Sequence, residues 1–543
     1  MSTIGQVIFW LYFTCLLESA FGYDVPASYH PNHTIPSHAI DLSTWSADDT
    51  IAAIRRGSIT VRHYITSVLD HAQRISPLNA FITLLPDEAL RAADAIDHAI
   101  TRGHSPPLAG LAIVVKDSIN LAGYPTTAGT AALLHNRPPS TAPTLQRLIA
   151  AGAIVIGQTN MHELAWGITS TNLQPFAGPV HNPYAFQKIP GGSSGGTAVA
   201  VATRVVTCGL GTDTGGSSRI PAALTGTVGY HPSVGNGGPE RRYHDEDAIV
   251  PLSPMLDTVG LVCLDVEGIA LLDSIITGRP RVTRPAKLRG LRLGVPPVLW
   301  SNLDVELERV VLGAARKLSD RGAVLVRDDI PNLTTIGRFV QLITYHDPLT
   351  AFPAYLRANG VAGVDLRSIV AGIASPDVRT AFEMILSDVY GPQYPYIVTV
   401  LRPFLQQLYA DYFSRTGVDA ILFPTTILPA VRIDYVNGSG NVSINGGPPV
   451  DTDAAFERNT DPGASAGLPG LSIPAGMTAS VCRSVLRSTG LLAVMRGCSL
   501  SDLRLRKFWA RSLLRKDTRY LFSCASFRRA TLTLSPSTRR YNN

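Results

Sequence analysis

The chain has few cysteines, and its His162-Glu163 pair lacks the spacing of a zinc motif. Only six cysteines occur among 543 residues, and only Cys208 and Cys263 lie between the N-terminal apolar segment and the arginine-rich C-terminal tail. One disulfide between them is therefore possible, but the sequence does not establish it. The His-Glu pair is not a zinc motif because Trp166 stands where a second histidine would be required. No metal or organic cofactor is implied.

Charged residues are also sparse, and they are unevenly distributed. They make up 16% of the chain against 45% hydrophobic residues, a composition that allows a large buried core. The formal net charge of +6 would by itself suggest nucleic acid or an anionic membrane surface as a partner. However, residues 482–543 hold fourteen Lys and Arg against two Asp, so the rest of the chain is mildly acidic. The sequence therefore predicts no nucleic-acid partner, and it carries no marker of oligomeric state.

The N-terminal apolar run, residues 7–17, is too short to span a bilayer. Small residues at Ala20 and Gly22 predict a secretory signal over residues 1–22 that is cleaved before Tyr23. An N-terminal extension over residues 23–44 follows. Four N-glycosylation sequons, compatible with a secreted glycoprotein, occur at Asn32, Asn332, Asn437 and Asn441. The alternative is a chain anchored by an uncleaved apolar segment.

Helices and strands alternate along the chain without internal repeats. Apolar residues at helical spacing predict an amphipathic helix over residues 61–72. Residues 111–115 predict a buried strand that ends at Lys116. Further predicted elements are a helix over residues 144–151, a strand over 154–156, a helix over 195–203 and a strand over 205–210. This order indicates an α/β fold with an open sheet and a site at the strand ends.

Two blocks rich in glycine and serine follow that pattern. Residues 191–196 contain Ser193, and residues 211–221 contain Ser217, 24 positions further on. This separation accommodates a helix, a strand and a turn, so both hydroxyls can reach the same end of the sheet. Such proximity is what nucleophilic catalysis requires. With Lys116 upstream, the blocks favour a serine hydrolase whose base is a lysine.

These blocks resemble the amidase signature family and, within it, the mandelamide and indoleacetamide hydrolases. Residues 107–110, 157–164, 182–184 and 466–470 match as well, so that the resemblance covers about residues 45–480. It implies one large α/β domain with a mixed β-sheet core covered by helices on both faces. It also implies that the chain hydrolyses a small-molecule amide, a class that includes aryl-bearing amides. In this family's arrangement Ser217 is the nucleophile, Ser193 on a cis peptide bond is the relay, and Lys116 is the base.

The environment of these residues follows from their proposed chemistry. A lysine acts as a base only when neutral, so burial must bring the pKa of Lys116 well below about 10.4. Four backbone N–H groups can form an oxyanion hole, those of Thr214, Gly215, Gly216 and Ser217. Three further residues are expected to hold the loop: Ser194, Asp213 and Arg219. Specificity is expected from residues 126–134, 162–172 and 300–450.

A second interpretation uses the same glycine-serine block. Residues 192–196 satisfy the nucleophile-elbow pattern of α/β-hydrolase esterases, with Ser194 as the nucleophile. That mechanism requires an acid and then a histidine downstream. His231, His244 and His346 are available, but no feature of the sequence favours one of them.

Two segments depart from the family pattern. Residues 236–247 are long and charged, which predicts a surface loop. Residues 481–543 are arginine-rich where the family continues with a buried strand and a terminal helix. Back-translation with a one-base shift permits Leu-Pro-Val-Ser-Ile-Glu-Ile-Asp-Gly over residues 482–490, which suggests that the tail is an out-of-frame product.

A displaced reading frame would affect folding. Each apolar side chain lost from a core strand is worth roughly 1.5–3 kcal/mol, against a total stability of about 5–15 kcal/mol. A third hypothesis is therefore a non-folding or inactive product.

Overall fold

The computed structural model describes residues 44–282, 288–478 and 490–495. The predicted signal over residues 1–22, nearly all of the extension over 23–44, and the tail apart from 490–495 lie outside these ranges. Their assignments therefore stay predictions. Within the described ranges, no helix is both long enough and apolar enough to cross a membrane.

The described residues form thirteen strands, eleven of which make up a mixed sheet at the core. The strands are β1 Phe81–Leu84, β2 Ala112–Lys116, β3 Ile154–Thr159, β4 Cys208–Thr212, β5 Val228–His231, β6 Val259–Cys263, β7 Arg292–Gly294, β8 Val324–Val326, β9 Ala420–Pro424, β10 Asn441–Ser443, β11 Pro449–Asp451, β12 Gly470–Gly476 and β13 Gly490–Met495. Their spatial order is β1-β3-β2-β4-β6-β5-β12-β13-β9-β7-β8, and β10 and β11 form a separate two-stranded sheet. The pairs β2/β3, β2/β4, β7/β8 and β7/β9 are parallel.

Helices connect and cover these strands. They are α1 Ala47–Arg55, α2 Val61–Arg74, α3 Pro86–Thr101, α4 Pro143–Ala150, α5 Gly195–Ala202, α6 Arg219–Thr225, α7 Val266–Thr277, α8 Val305–Asp320, α9 Leu333–Gln341, α10 Pro348–Ala358, α11 Leu366–Gly372, α12 Pro376–Leu386, α13 Tyr394–Tyr396, α14 Arg402–Thr416, α15 Thr452–Glu457 and α16 Asp461–Ser465. The π-helical segment Ile397–Leu401 joins α13 to α14.

The predicted amphipathic helix is confirmed as α2. Its hydroxyl cap is Thr60, whose side chain accepts a hydrogen bond from the backbone N–H of His63. The six residues that carried the periodicity are all buried: Val61, Tyr64, Ile65, Val68, Leu69 and Ala72. The helical spacing therefore identified the face that packs on the core.

The predicted strand, helix and strand succession is also confirmed, with small shifts of the boundaries. Every residue of β2 and β4 is buried, as expected for parallel strands covered on both faces. The two strands pair with Val115 opposite Leu210. Their carboxyl ends therefore lie side by side, which places Lys116 next to the end of β4.

Cys208 and Cys263 are opposite each other on the antiparallel strands β4 and β6 and form a disulfide. The sequence left this pairing open because 55 positions separate the two residues. Only the strand pairing brings them together.

Strand β13 lies between β12 and β9 and pairs antiparallel with both. It belongs to the basic tail over residues 481–543. The out-of-frame origin of that tail is not tested by this pairing and stays a prediction. The strand nevertheless shows that residues 490–495 complete the middle of the sheet.

The prediction of a surface loop over residues 236–247 is wrong in part. Arg241 is buried, and its guanidinium donates hydrogen bonds to the backbone carbonyls of Asp257 and Pro254. Arg242 pairs with Asp273 of α7, at 2.5 Å between Nη2 and Oδ2. Asp245 accepts a hydrogen bond of 2.7 Å from the backbone N–H of Thr144 at the start of α4. The charges of this segment are thus used inside the protein, which composition alone does not reveal.

Candidate active site

Lys116 is the last residue of β2, and its side chain is fully buried. Its Nζ is hydrogen-bonded to Ser193 Oγ at 2.7 Å and to Thr212 Oγ1 at 2.6 Å. Burial lowers the pKa of Lys116 to about 7, although the carboxylates of Asp213 and Asp257 act in the opposite direction. A large fraction of this amine is therefore neutral near pH 7, and a neutral amine can accept a proton.

Ser193 lies in a tightly packed loop before α5. The peptide bond between Gly192 and Ser193 is cis, as the resemblance implied. The backbone carbonyl of Ser193 accepts a hydrogen bond from the N–H of His162 at 3.1 Å. A methyl group at Gly192 would lie 2.7 Å from Ser170 Oγ, so this position has room only for glycine. Packing therefore aims the Ser193 hydroxyl at Lys116.

Ser217 lies in the loop that follows β4, and 5% of its surface is exposed. Its backbone carbonyl accepts a hydrogen bond from the N–H of Ser194 at 3.0 Å, which joins the two glycine-serine blocks directly. Within the described ranges, no hydrogen bond uses the backbone N–H groups of residues 214–217 as donors. These four groups therefore have no hydrogen-bond acceptor among the described residues.

Asp213 fixes the shape of this loop. Its Oδ2 accepts hydrogen bonds from the backbone N–H of Ser218 at 3.1 Å and from Arg219 Nε at 3.0 Å. Its Oδ1 accepts from Arg219 Nη2 at 2.9 Å and lies 3.1 Å from His231 Nδ1. Burial alone would raise the pKa of Asp213, but Arg219 and His231 outweigh it and hold that pKa well below its usual range. The carboxylate is therefore ionised, and it stabilises the loop through its hydrogen bonds to Ser218 and Arg219.

Two residues of the site were missed by sequence reasoning. Thr212, the last residue of β4, supplies the second hydrogen bond to Lys116. Its position at the end of a strand that pairs in parallel with β2 is the signal that could have indicated it. Asp257 accepts a 2.6 Å hydrogen bond from Thr214 Oγ1. Burial raises the pKa of Asp257 to about 6, against the effect of this hydrogen bond and of two backbone N–H donors. No sequence motif marks Asp257, because only folding brings it to the loop.

Ser194 acts as a clamp, meaning that its side chain links the first glycine-serine block to the end of β4, where the second block begins. It is fully buried, and its Oγ donates to the carbonyl of Thr212 at 3.1 Å and accepts from the N–H of Thr212 at 3.2 Å. Of the histidines considered for an elbow mechanism, His231 pairs with Asp213 and His346 with Asp388. None of the hydrogen bonds within the described ranges joins a histidine to Ser194. The geometry therefore disfavours Ser194 as a nucleophile.

The three segments expected to confer specificity meet in one apolar cluster. Ala128 and Leu133 come from the first segment, Leu164 from the second, and Phe352 and Phe382 from the third. Trp166 packs against this cluster and makes edge-to-face contacts with Tyr345 and Phe382, at centroid distances of 4.8 and 5.6 Å. Trp166, Tyr345 and Phe382 therefore form an aromatic cluster where these segments converge.

Comparisons with known proteins identify the family to which this chain belongs. A family model described as Amidase matches residues 63–496. The chain belongs to the amidase family. The mandelamide hydrolase of Pseudomonas putida is 37% identical over 462 residues, covering 82% of this chain and 86% of that enzyme. An indoleacetamide hydrolase of Agrobacterium vitis is 36% identical over 438 residues, covering 80% of this chain and 90% of that enzyme.

Solved amidase structures share the fold. A crystal structure of an amidase has a TM-score of 0.70 at 28% identity, covering 84% of this chain and 96% of that one. The native peptide amidase from Stenotrophomonas maltophilia has a TM-score of 0.67 at 25% identity, covering 85% and 95%. These findings confirm the predicted α/β amidase fold. The amidase described here is an enzyme that hydrolyses amide C–N bonds.

Proposed function

We propose that this amidase cleaves its substrate through Ser217, Ser193 and Lys116. The observation that carries the proposal is the buried Lys116 amine, whose Nζ lies 2.7 Å from Ser193 Oγ. Ser217 Oγ attacks the amide carbonyl carbon while its proton passes to Ser193, and the Ser193 proton passes to Lys116. The C–N bond then breaks, and the amine leaves with the proton returned by Lys116 through Ser193. Water hydrolyses the acyl-enzyme by the same route, which regenerates Ser217.

The loop around Ser217 supports this mechanism electrostatically. The carbonyl oxygen becomes negatively charged as the tetrahedral intermediate forms. Preorganised N–H groups aimed at such an oxygen stabilise the transition state and typically contribute 10²–10³-fold in kcat. The N–H groups of residues 214–217 are available for this role, and Asp213 and Asp257 hold the loop that presents them.

Fluorophosphonate labelling, mapped by peptide mass spectrometry, tests the assignment. We expect the label on Ser217 in the wild-type protein and its loss in Lys116→Ala and Ser193→Ala. Ser105→Ala, a substitution of an exposed serine, is the matched control and should keep the label. A label on Ser194 would instead favour the elbow mechanism, and a label that persists in Lys116→Ala would contradict the lysine as the base.

The proposed substrates are aryl-bearing amides of small size. Relatives named for mandelamide and indoleacetamide hydrolysis support this proposal. The partly buried rings of Trp166 and Tyr345, which pack edge to face, support it as well, because a substrate ring packs favourably against aromatic side chains. The measurement is kcat/KM for phenylacetamide and for acetamide. Trp166→Leu should lower the ratio of these two values, whereas the control Trp45→Leu, a change before α1, should not.

We further propose that the enzyme enters the secretory pathway through residues 1–22. Three sequon asparagines within the described ranges are exposed, namely Asn332, Asn437 and Asn441, and the Cys208–Cys263 disulfide suits an oxidising compartment. Expression in a secreting eukaryotic host tests this proposal. Medium containing a protein that begins at Tyr23 and shifts in mass on deglycosylation is expected. Retention in the membrane fraction with residues 1–22 intact would favour the uncleaved anchor.

A further inference from the structure

Two carboxylates, the buried Asp461 and the partly buried Glu457, lie against the loop that carries the proposed nucleophile. Glu457 ends α15 and Asp461 begins α16. A methyl group at Gly215 would lie 2.6 Å from Asp461 Oδ1 and 3.0 Å from both Glu457 Oε1 and Gln341 Nε2. Both carboxylates therefore touch the loop two positions before Ser217. The mechanism described above uses neither of them.

The charge of this pair is incompletely balanced. Arg338 Nη1 lies 3.5 Å from Glu457 Oε2 and 3.5 Å from Asp461 Oδ2, so this guanidinium faces two acids. The charge of Arg219 also acts on Asp461, but the Arg219 guanidinium is itself bound to Asp213. Burial and the neighbouring Asp461 carboxylate raise the pKa of Glu457. Burial likewise raises the pKa of Asp461 to about 7, against the opposing effects of Arg338 and Arg219. One more positive charge or hydrogen-bond donor would stabilise both carboxylates.

One carboxylate oxygen has no protein donor. Asp461 Oδ1, the oxygen closest to Gly215, has no hydrogen-bond partner among the described residues, although the side chain of Asp461 is only 2% exposed. A buried acceptor that has lost its water without gaining a donor destabilises the folded protein. The side chain of Arg338 is 41% exposed and that of Glu457 is 15% exposed, so the group lies near the surface of the protein. These observations indicate an acceptor that a ligand completes.

We propose that Asp461, with Glu457 and Arg338, forms a subsite for a hydrogen-bond-donating substituent on the acyl part of the substrate, close to the scissile carbonyl. The inference rests on the proposed function, because it assumes that the acyl carbon lies at Ser217. An ammonium group is preferred to a hydroxyl group, since it balances the second carboxylate. A neutral hydroxyl still satisfies Asp461 Oδ1. A substrate with neither group leaves that oxygen unpaired.

The aromatic cluster follows this subsite closely along the chain. Arg338 lies in α9, and Tyr345 ends the short 3₁₀ helix Leu342–Tyr345 that continues directly from α9. Tyr345 in turn contacts Trp166. A substrate can carry a donor on the carbon next to the carbonyl and an aryl group beyond that carbon. Such a substrate would place the donor at Asp461 and the aryl group near Tyr345 and Trp166.

Three amides of nearly equal size separate the possibilities. Phenylglycinamide, mandelamide and phenylacetamide carry an amine, a hydroxyl and a hydrogen, respectively, on the carbon next to the carbonyl. For the wild-type protein we expect kcat/KM to fall in that order, by at least tenfold from the first to the last. In Asp461→Asn this ratio should collapse towards one. Glu308→Gln, an exposed acid on α8, is the matched control and should leave the ratio unchanged.

The outcomes are distinguishable. Equal kcat/KM for the three amides in the wild-type protein would overturn the subsite without any variant being needed. A uniform decrease for all three amides in Asp461→Asn would assign Asp461 a structural role and also overturn it. If Asp461→Asn fails to fold, Glu457→Gln provides the same comparison. Failure of the proposed function would look different, because the fluorophosphonate label would then lie on Ser194 or would persist on Ser217 in Lys116→Ala.

Discussion

Replacing Lys116 with methionine tests whether the proposed base is neutral in the folded protein. The two side chains are of similar length, and methionine cannot ionise. A fall in pKa from 10.5 to about 7 disfavours the charged lysine in the folded state by about 5 kcal/mol, since one pKa unit is worth 1.36 kcal/mol. Between these two pKa values, the unfolded chain binds more protons than the folded protein. The stability of the wild-type protein therefore rises with pH in this window.

The methionine variant lacks this pH dependence. The free energy of unfolding of the variant minus that of the wild type should be largest below pH 7. Above pH 7 this difference should decrease by about 1.4 kcal/mol for each pH unit. Ser193 and Thr212 each lose a hydrogen bond in the variant, but that loss shifts the whole curve and leaves its slope unchanged. Hydrolysis should fall by about 10²–10⁴-fold, the usual contribution of a general base.

Denaturant unfolding at pH 7.5 and at about pH 9.5 measures the slope, and amide hydrolysis is assayed in parallel. Lys317→Met, a change in the last turn of α8, is the control and should show no such pH dependence. A stability difference that stays constant over this range would show that Lys116 remains charged when folded. It could not then accept a proton, and the reasoning would be refuted.

Three further predictions concern the loop, the clamp and the tail. Thr214→Val removes the hydrogen bond to Asp257 and should lower kcat more than it changes KM, because the oxyanion donors lose their support; steady-state kinetics measures this split. Ser194→Ala should lower the melting temperature while Ser217 keeps its fluorophosphonate label, and loss of the label without loss of stability would contradict the clamp. Ending the chain after residue 480 removes β13 and should give insoluble protein, whereas ending it after residue 500 should not.

Sequence reasoning succeeded where a local pattern reports a physical requirement. The apolar run before Lys116 predicted a buried strand because parallel strands are covered on both faces. The same pattern predicted the burial of Lys116, which the structure confirms and which lowers the pKa of its amine. The glycine-serine blocks indicated the cis bond before Ser193 through the family resemblance. Fold class and amide hydrolysis were therefore predictable.

What the sequence did not predict depends on contacts between distant segments. Asp257 and Asp461 reach the loop of Ser217 from 40 and more positions away, and neither lies in a recognisable motif. The charged segment over residues 236–247 was predicted to be exposed because charge usually indicates solvent. Arg241 and Asp245 are instead buried against partners that become neighbours only in the folded chain.

The carboxyl end of β4 organises the whole site. Thr212 holds Lys116 through its hydroxyl and Ser194 through its backbone N–H and carbonyl. Asp213, the next residue, holds the nucleophile loop through Arg219. Adjacent residues of a strand point to opposite faces, so a one-residue slip of β4 against β2 would turn the Thr212 hydroxyl away from the lysine. Sheet register, which the disulfide to β6 helps to fix, therefore determines both the base and the loop that presents the nucleophile.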